Sequence, residues 1–166
     1  MSEQPSPGRG FGRIVLWVGS LGPLGHVPAS GTVAVAVAGV PLVWLMRMYL
    51  GTGAYAAVSI VFIGASVWIH DVGDRLLGEK DSRKLVLDEL CGFFVACIVM
   101  PISPATLAIA FFVERAIDIV KVPPANIVER RVAGGWGVVG DDLIAGAYTC
   151  GLMWVVVDYL PANWIA

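Results

Sequence analysis

Residues 140–160 read GDDLIAGAYTCGLMWVVVDYL. Between Asp142 and Asp158 no side chain carries a charge. That run is long enough to enter a bilayer, because a helix of about 20 residues crosses a hydrocarbon core about 30 Å thick. Two adjacent carboxylates at the mouth of such a helix are costly to desolvate, and ionisable groups are kept at membrane segments chiefly where they are paired or functional. Asp141 and Asp142 therefore ask for a partner.

The rest of the chain agrees with a membrane reading. Of its 166 residues 57% are hydrophobic and 14% charged, with a mean hydropathy of +0.78. Soluble domains carry about 25% charged residues. Besides 142–160, apolar segments run over 32–50, 53–70, about 85–100 and about 104–121. The segments at 32–50, 53–70 and 142–160 have spanning length. Those at 85–100 and 104–121 each carry one charged end, and cross if that end meets a polar cavity lined by protein. Only helices or closed barrels satisfy their backbones in lipid, and none of these runs alternates as barrel strands do. The expected fold is an all-α polytopic membrane helical bundle of about five membrane helices. A short run, IVLWV, follows Arg9 and Arg13. It is shorter than the roughly 7–15 residues of a signal-peptide core, so it reads as a short interfacial helix kept in the mature protein. A single domain, 11–166, follows a disordered tail at 1–10. Cys91, Cys97 and Cys150 lie in apolar runs without metal or disulfide spacing and read as small core hydrophobes.

Short turns at 51–52 and 101–103 alternate with long connections at 71–84 and 122–141. Counting crossings puts residues 1–31 and both long connections on one side. Of the 11 lysines and arginines, Arg47 alone lies near the other side. The excess of basic residues makes the long-loop side cytoplasmic.

The acidic residues gather on that side too: Asp81, Asp88 and Glu89, Glu114 and Asp118, Asp141 and Asp142. At 100° per residue, Glu114, Arg115, Asp118 and Lys121 share one polar arc of about 120°. Four or five carboxylates meeting fewer cations repel one another strongly. A bound divalent cation relieves that repulsion, and oxygen donors suit a hard ion, Mg²⁺ or Mn²⁺. Two glycine-rich stretches, GSLGPLGHVPASGT (19–32) and AGGWGVVGDD (133–142), lead into apolar helices. Gly31 frees backbone for close approach of an anion and Thr32 is placed to cap a helix, the arrangement that binds phosphate. His70, at the end of its apolar segment, reads as an interfacial anchor, and His26 as part of the first loop.

In order along the chain, PASGT (28–32), DSRKLVLDELCG (81–92), ERAIDIVKVPP (114–124) and GGWGVVGDDLIAG (134–146) resemble the motifs of the phosphatidylglycerophosphatase A family. Ser30 and Val122 stand where the family often has proline; the charged positions match. The resemblance implies a Mg²⁺-dependent hydrolase of the bacterial cytoplasmic (inner) membrane, with its site facing the cytoplasm. Its substrate would be phosphatidylglycerophosphate, released as phosphatidylglycerol and phosphate. It implies that Asp88, Glu89, Asp141 and Asp142 hold one or two metal ions, with Asp118 open as a further ligand. Asp118, as general base, Arg115, Lys121 and Asp81 would be catalytic, and Gly31 and Thr32 with the two cations would bind the phosphate. The implied partners are the substrate and membrane lipids, with no nucleic acid; the oligomeric state stays open. The alternative reading is a small transporter or ion/proton conduit whose carboxylates line a path.

Overall fold

The computed structural model describes residues 9–165, which form eight helices and, among the described residues, no strand. Helix α1 is Arg9–Gly19. The expected tail thus falls mostly outside the described residues, and α1 begins within its last two positions. Helix α2 runs over Ser30–Tyr49 and contains a π turn at Val35–Gly39. Pro41 follows that turn; a proline inside a helix removes one N–H and crowds the carbonyl four residues back, and the wider turn takes up the disturbance. Helix α3 is Thr52–Leu77 and stops at Gly78, whose φ of 72° closes the left-handed C-cap. Helices α4 and α5 are Leu87–Ala96 and Pro104–Val120. A reciprocal pair of bonds between Ser103 and Thr106 caps α5, with Pro104 in its first turn, the place where a missing N–H costs least. Helix α6 is Ala125–Arg131, α7 is Gly135–Val157 and α8 is Ala162–Ile165.

By length and composition, α2, α3 and α7 are suited to cross a membrane. Helix α5, at 17 residues, is about 25 Å long, and α4, at 10 residues, about 15 Å, at 1.5 Å per residue. Helix α4 is the pillar of the bundle. Leu90, Phe93 and Phe94 are all but fully buried there, together with Tyr55, Met100, Leu107 and Met153 from the surrounding elements. The last carbonyls of a helix lack internal partners, and Tyr55 donates its hydroxyl to the Phe94 carbonyl at 2.8 Å.

Lipid offers no hydrophobic drive for one apolar helix to leave it for another, so close packing through small residues does that work. The α4–α7 crossing illustrates it. A Cβ on Gly146 would overlap the Gly92 carbonyl, and a Cβ on Gly92 would lie 2.7 Å from the Asp142 carbonyl. Backbone meets backbone at this point, one turn from Asp142.

Two boundaries differ from expectation. Helix α7 starts at Gly135, so Asp141 and Asp142 sit in its second turn and not at its mouth. Helix α3 continues past residue 70 to Leu77, which puts His70, Asp71 and Asp74 on the helix. His70 is buried and is not an interfacial anchor.

Candidate active site

Three helices deliver charged side chains to one cavity of about 640 Å³, and a fourth closes it. Helix α4 opens with Asp88 and Glu89 in its first turn, where the helix dipole favours negative charge. The last turns of α5 bring Glu114, Arg115 and Asp118, and Lys121 follows as its C-cap with φ 51°. The second turn of α7 brings Asp141 and Asp142. The start of α2 closes the cavity, with Gly31 and Thr32 in its lining. Gly31 lies against Glu89 so closely that a Cβ would overlap the carboxylate. Thr32 is the third residue of its helix; the N-cap is Ala29, at φ 53°, and no side chain caps it. Sequence reasoning had placed the helix start two residues late.

Arg115 is the hub. Its Nε donates to Glu114 Oε2 and its Nη2 to Glu114 Oε1, both at 2.6 Å. Its Nη1 donates to Glu89 and, at 3.3 Å, to Asp118 Oδ2. Its Nη2 lies 3.7 Å from Asp142 Oδ1. One guanidinium therefore faces four carboxylates. Glu89, Asp118 and Asp142 each offer an oxygen, and these oxygens lie within 4.8 Å of one another. Asp142 Oδ1 is buried without a hydrogen-bond partner, an arrangement that costs free energy unless something else binds there. An all-oxygen donor set with excess negative charge fits a hard divalent cation.

The four expected metal ligands divide. Glu89 and Asp142 join the convergent trio, and its third member is Asp118. Asp141 lines the cavity but pairs with Lys121 Nζ at 2.8 Å, and Lys121 also meets Glu129 of α6 at 3.0 Å. Asp88 lines the cavity and faces His70 Nε2 at 3.4 Å. Asp81, on the loop before α4, takes a left-handed φ of 56° and donates its backbone N–H to Asp74 Oδ2 at 2.9 Å. Although Asp81 is exposed, desolvation by the protein around its carboxyl, and then the charge of Asp88, raise its proton affinity above the ordinary aspartate value.

Sequence reasoning missed several supports. Glu114 lay in the polar arc, but its role as the fork that grips Arg115 did not follow from spacing. Asp71 Oδ1 accepts the Gly135 N–H at 2.6 Å and so caps α7 from α3, 64 residues away in sequence. Nothing local signals such a pairing.

Set against known families, residues 17–157 match the model of phosphatidylglycerophosphatase A. The chain belongs to this family. Its membership makes it a phosphatase, and three spanning-length apolar helices make it a membrane protein. The phosphatidylglycerophosphatase A of Escherichia coli K12 is 25% identical over 76% of this chain and 73% of its own length. That of Haemophilus influenzae Rd is 24% identical over 83% and 82%. A protein of Bacteroides thetaiotaomicron, provisionally named a phosphatidylinositol-3-phosphatase, is 28% identical over 72% and 76%. No solved structure matches the chain.

Proposed function

We propose that this phosphatase hydrolyses the terminal phosphomonoester of phosphatidylglycerophosphate, giving phosphatidylglycerol and phosphate, with Mg²⁺ held by Glu89, Asp118 and Asp142. The observation that carries the reading is the convergence of those three carboxylates around Arg115. When bound, Mg²⁺ supplies Lewis acidity toward the phosphate oxygens. Glu114 holds the Arg115 fork, whose planar geometry matches phosphate oxygens. Lys121, steadied by Asp141 and Glu129, adds a second positive charge. In the reaction water attacks phosphorus, the bond to the glycerol oxygen breaks, and a proton ends on that oxygen. Asp81 is the carboxyl suited to deliver it, because it lines the cavity outside the convergent trio and makes no ion pair among the described residues.

The site lies at the cytoplasmic face of the bacterial inner membrane in this proposal, supported by the bias of basic residues toward that end of the bundle. A conduit would need ionisable groups through the membrane, whereas α7 has none between Asp142 and Asp158.

The test is phosphate release by the purified protein in neutral detergent from phosphatidylglycerophosphate, with phosphatidylinositol 3-phosphate as a second arm. Release that requires Mg²⁺ and is lost in Asp142→Asn, together with loss of Mn²⁺ binding by that variant in equilibrium dialysis, is expected. Release that persists in chelator removes the metal. Faster turnover of the inositol lipid replaces the substrate, and no release from either lipid ends the reading.

A further inference from the structure

The cations that line the cavity are of two kinds. Arg115 and Lys121 are engaged by carboxylates. Arg83 and Lys84 line the same cavity from the loop between α3 and α4. Among the described residues their side chains make no ion pair, and both are exposed.

Their backbone is nevertheless pinned. Ser30 Oγ donates to the Arg83 carbonyl at 2.9 Å. The Leu85 N–H donates to Ser82 at 2.8 Å, and the Val86 N–H to Gly19 at 2.9 Å. Gly25 lies so close to the Lys84 carbonyl that a Cβ would overlap it. Two unpaired cations thus extend from a fixed backbone beside a set of paired ones. Ordinary surface lysines on a solvated loop do not require such anchoring.

A second cavity, of about 510 Å³, adjoins the first. Both are lined by His26, Lys84 and Leu85. Beyond Lys84 its walls are Arg13, Leu16 and Trp17 of α1, Ser20 and Gly22 of the loop that follows, and Leu77 of α3. The path therefore runs from the carboxylate trio, past the unpaired Arg83 and Lys84, to a largely apolar groove that Arg13 also lines. It ends against α1, which exposes Phe11, Ile14, Trp17 and Val18.

We propose that Arg83 and Lys84 form a second anion subsite, which holds the phosphodiester between the lipid's head group and its diacylglycerol, and that the groove beyond takes the glycerol end of the lipid. The assignment of lipid phosphomonoester hydrolysis above underlies this. A lipid of that class presents its anions in the same order as the cavity presents its cations: a terminal monoester, a short spacer, then a diester next to the acyl chains. The diester carries a single negative charge and needs no metal. Exposed lysine and arginine side chains suit it, because charge-assisted bonds to a phosphate are stronger than neutral ones. Arg83 and Lys84 then determine specificity, favouring lipids with a diester over those with a monoester alone.

The experiment compares full-length wild type with the double variant Arg83→Gln/Lys84→Gln in neutral-detergent micelles at fixed lipid mole fraction. One arm measures hydrolysis of phosphatidylglycerophosphate, which has both anions, and of phosphatidic acid, which has the monoester alone. A drop of about tenfold in the ratio of their kcat/KM values, carried by KM, is the expected result. The second arm needs no turnover: equilibrium binding of phosphatidylglycerol, which has the diester alone, against neutral diacylglycerol. Wild type is expected to prefer phosphatidylglycerol, and the double variant to lose that preference. Arg130→Gln/Arg131→Gln, on exposed positions of α6 outside both cavities, controls for general attraction of anionic lipid and is expected to keep it. Equal losses on both substrates, an unchanged ratio, or a binding preference that survives in the double variant or disappears in the control each overturn the subsite. Absence of hydrolysis in the wild type ends the phosphatase assignment instead, and the binding arm still decides the subsite.

Discussion

Gly146→Ala asks whether the α4–α7 crossing sets the geometry of the site. A Cβ at that position would lie 2.9 Å from the Gly92 carbonyl carbon and 3.1 Å from its Cα, with the carbonyl oxygen closer still. The carbonyl oxygen sets the shift: non-bonded heavy atoms in contact prefer about 3.5 Å, so the two helices must part by about 1 Å. Overpacking of this kind costs about 1–3 kcal/mol, and the better helix propensity of alanine returns about 1 kcal/mol. The net loss of stability is therefore small, and the protein stays folded. Activity is another matter. Asp142 lies one turn before Gly146 on the same face of α7, and Glu89 lies one turn before Gly92 on α4, so the displacement separates two of the three convergent carboxylates directly. A misplacement of about 1 Å can cost about 100-fold in rate. Phosphate release from phosphatidylglycerophosphate should fall by about that factor, with thermal unfolding in detergent showing an intact transition. Gly151→Ala, on the same helix with open space around it, should leave the rate unchanged. Activity of Gly146→Ala within about threefold of wild type, against the expected 100-fold loss, would refute the argument that this backbone contact positions the acids.

Glu114→Ala removes both bonds that hold the Arg115 fork and leaves a buried guanidinium short of partners. Breaking a buried pair from one side costs about 3–5 kcal/mol, and thermal unfolding should show it; Glu114→Gln, which keeps one acceptor and the shape, should lose less. Asp81 supplies a pH test. Its carboxyl binds a proton more tightly in the folded protein than in the unfolded chain, so its contribution to stability is full below the ordinary aspartate range and is lost as pH rises through the raised value. Asp81→Asn, which also suits the left-handed backbone there, should therefore raise the unfolding temperature relative to wild type near neutral pH. The difference should shrink as pH falls through the aspartate range and vanish below about pH 3.

The apolar helices and the identity of the charged residues were legible from the chain, because runs such as 53–70 and 143–157 leave few alternatives in lipid. The ends of helices were not. GGWG at 134–137 reads as a loop, since each glycine costs about 1 kcal/mol in a helix. Tertiary packing overrides that cost: a Cβ on Gly135 would overlap the Val67 carbonyl, and one on Gly137 the Val132 carbonyl. Only glycine fits those close approaches, so the residues that argue against a helix are the ones that let it pack. Which carboxylates converge was equally hidden. Asp88 and Glu89 are adjacent, yet neighbours on a helix project about 100° apart, sending Asp88 to His70 and Glu89 to Arg115. The partners that separate them, on α3 and α5, are distant in sequence.

The link from Asp71 to the Gly135 N–H has a consequence for biogenesis. A chain emerges from the ribosome with its N-terminus first, so the cap is made 64 residues before the helix it caps. Until α7 arrives, the Asp71 acceptor waits, and the acids of α4 and α5 meet Arg115 without Asp142. The last long helix thus brings both the partner of Asp71 and the third carboxylate of the trio. A chain that ends before residue 135 contains α2 and α3 but lacks Asp141 and Asp142, so its acidic cluster is incomplete.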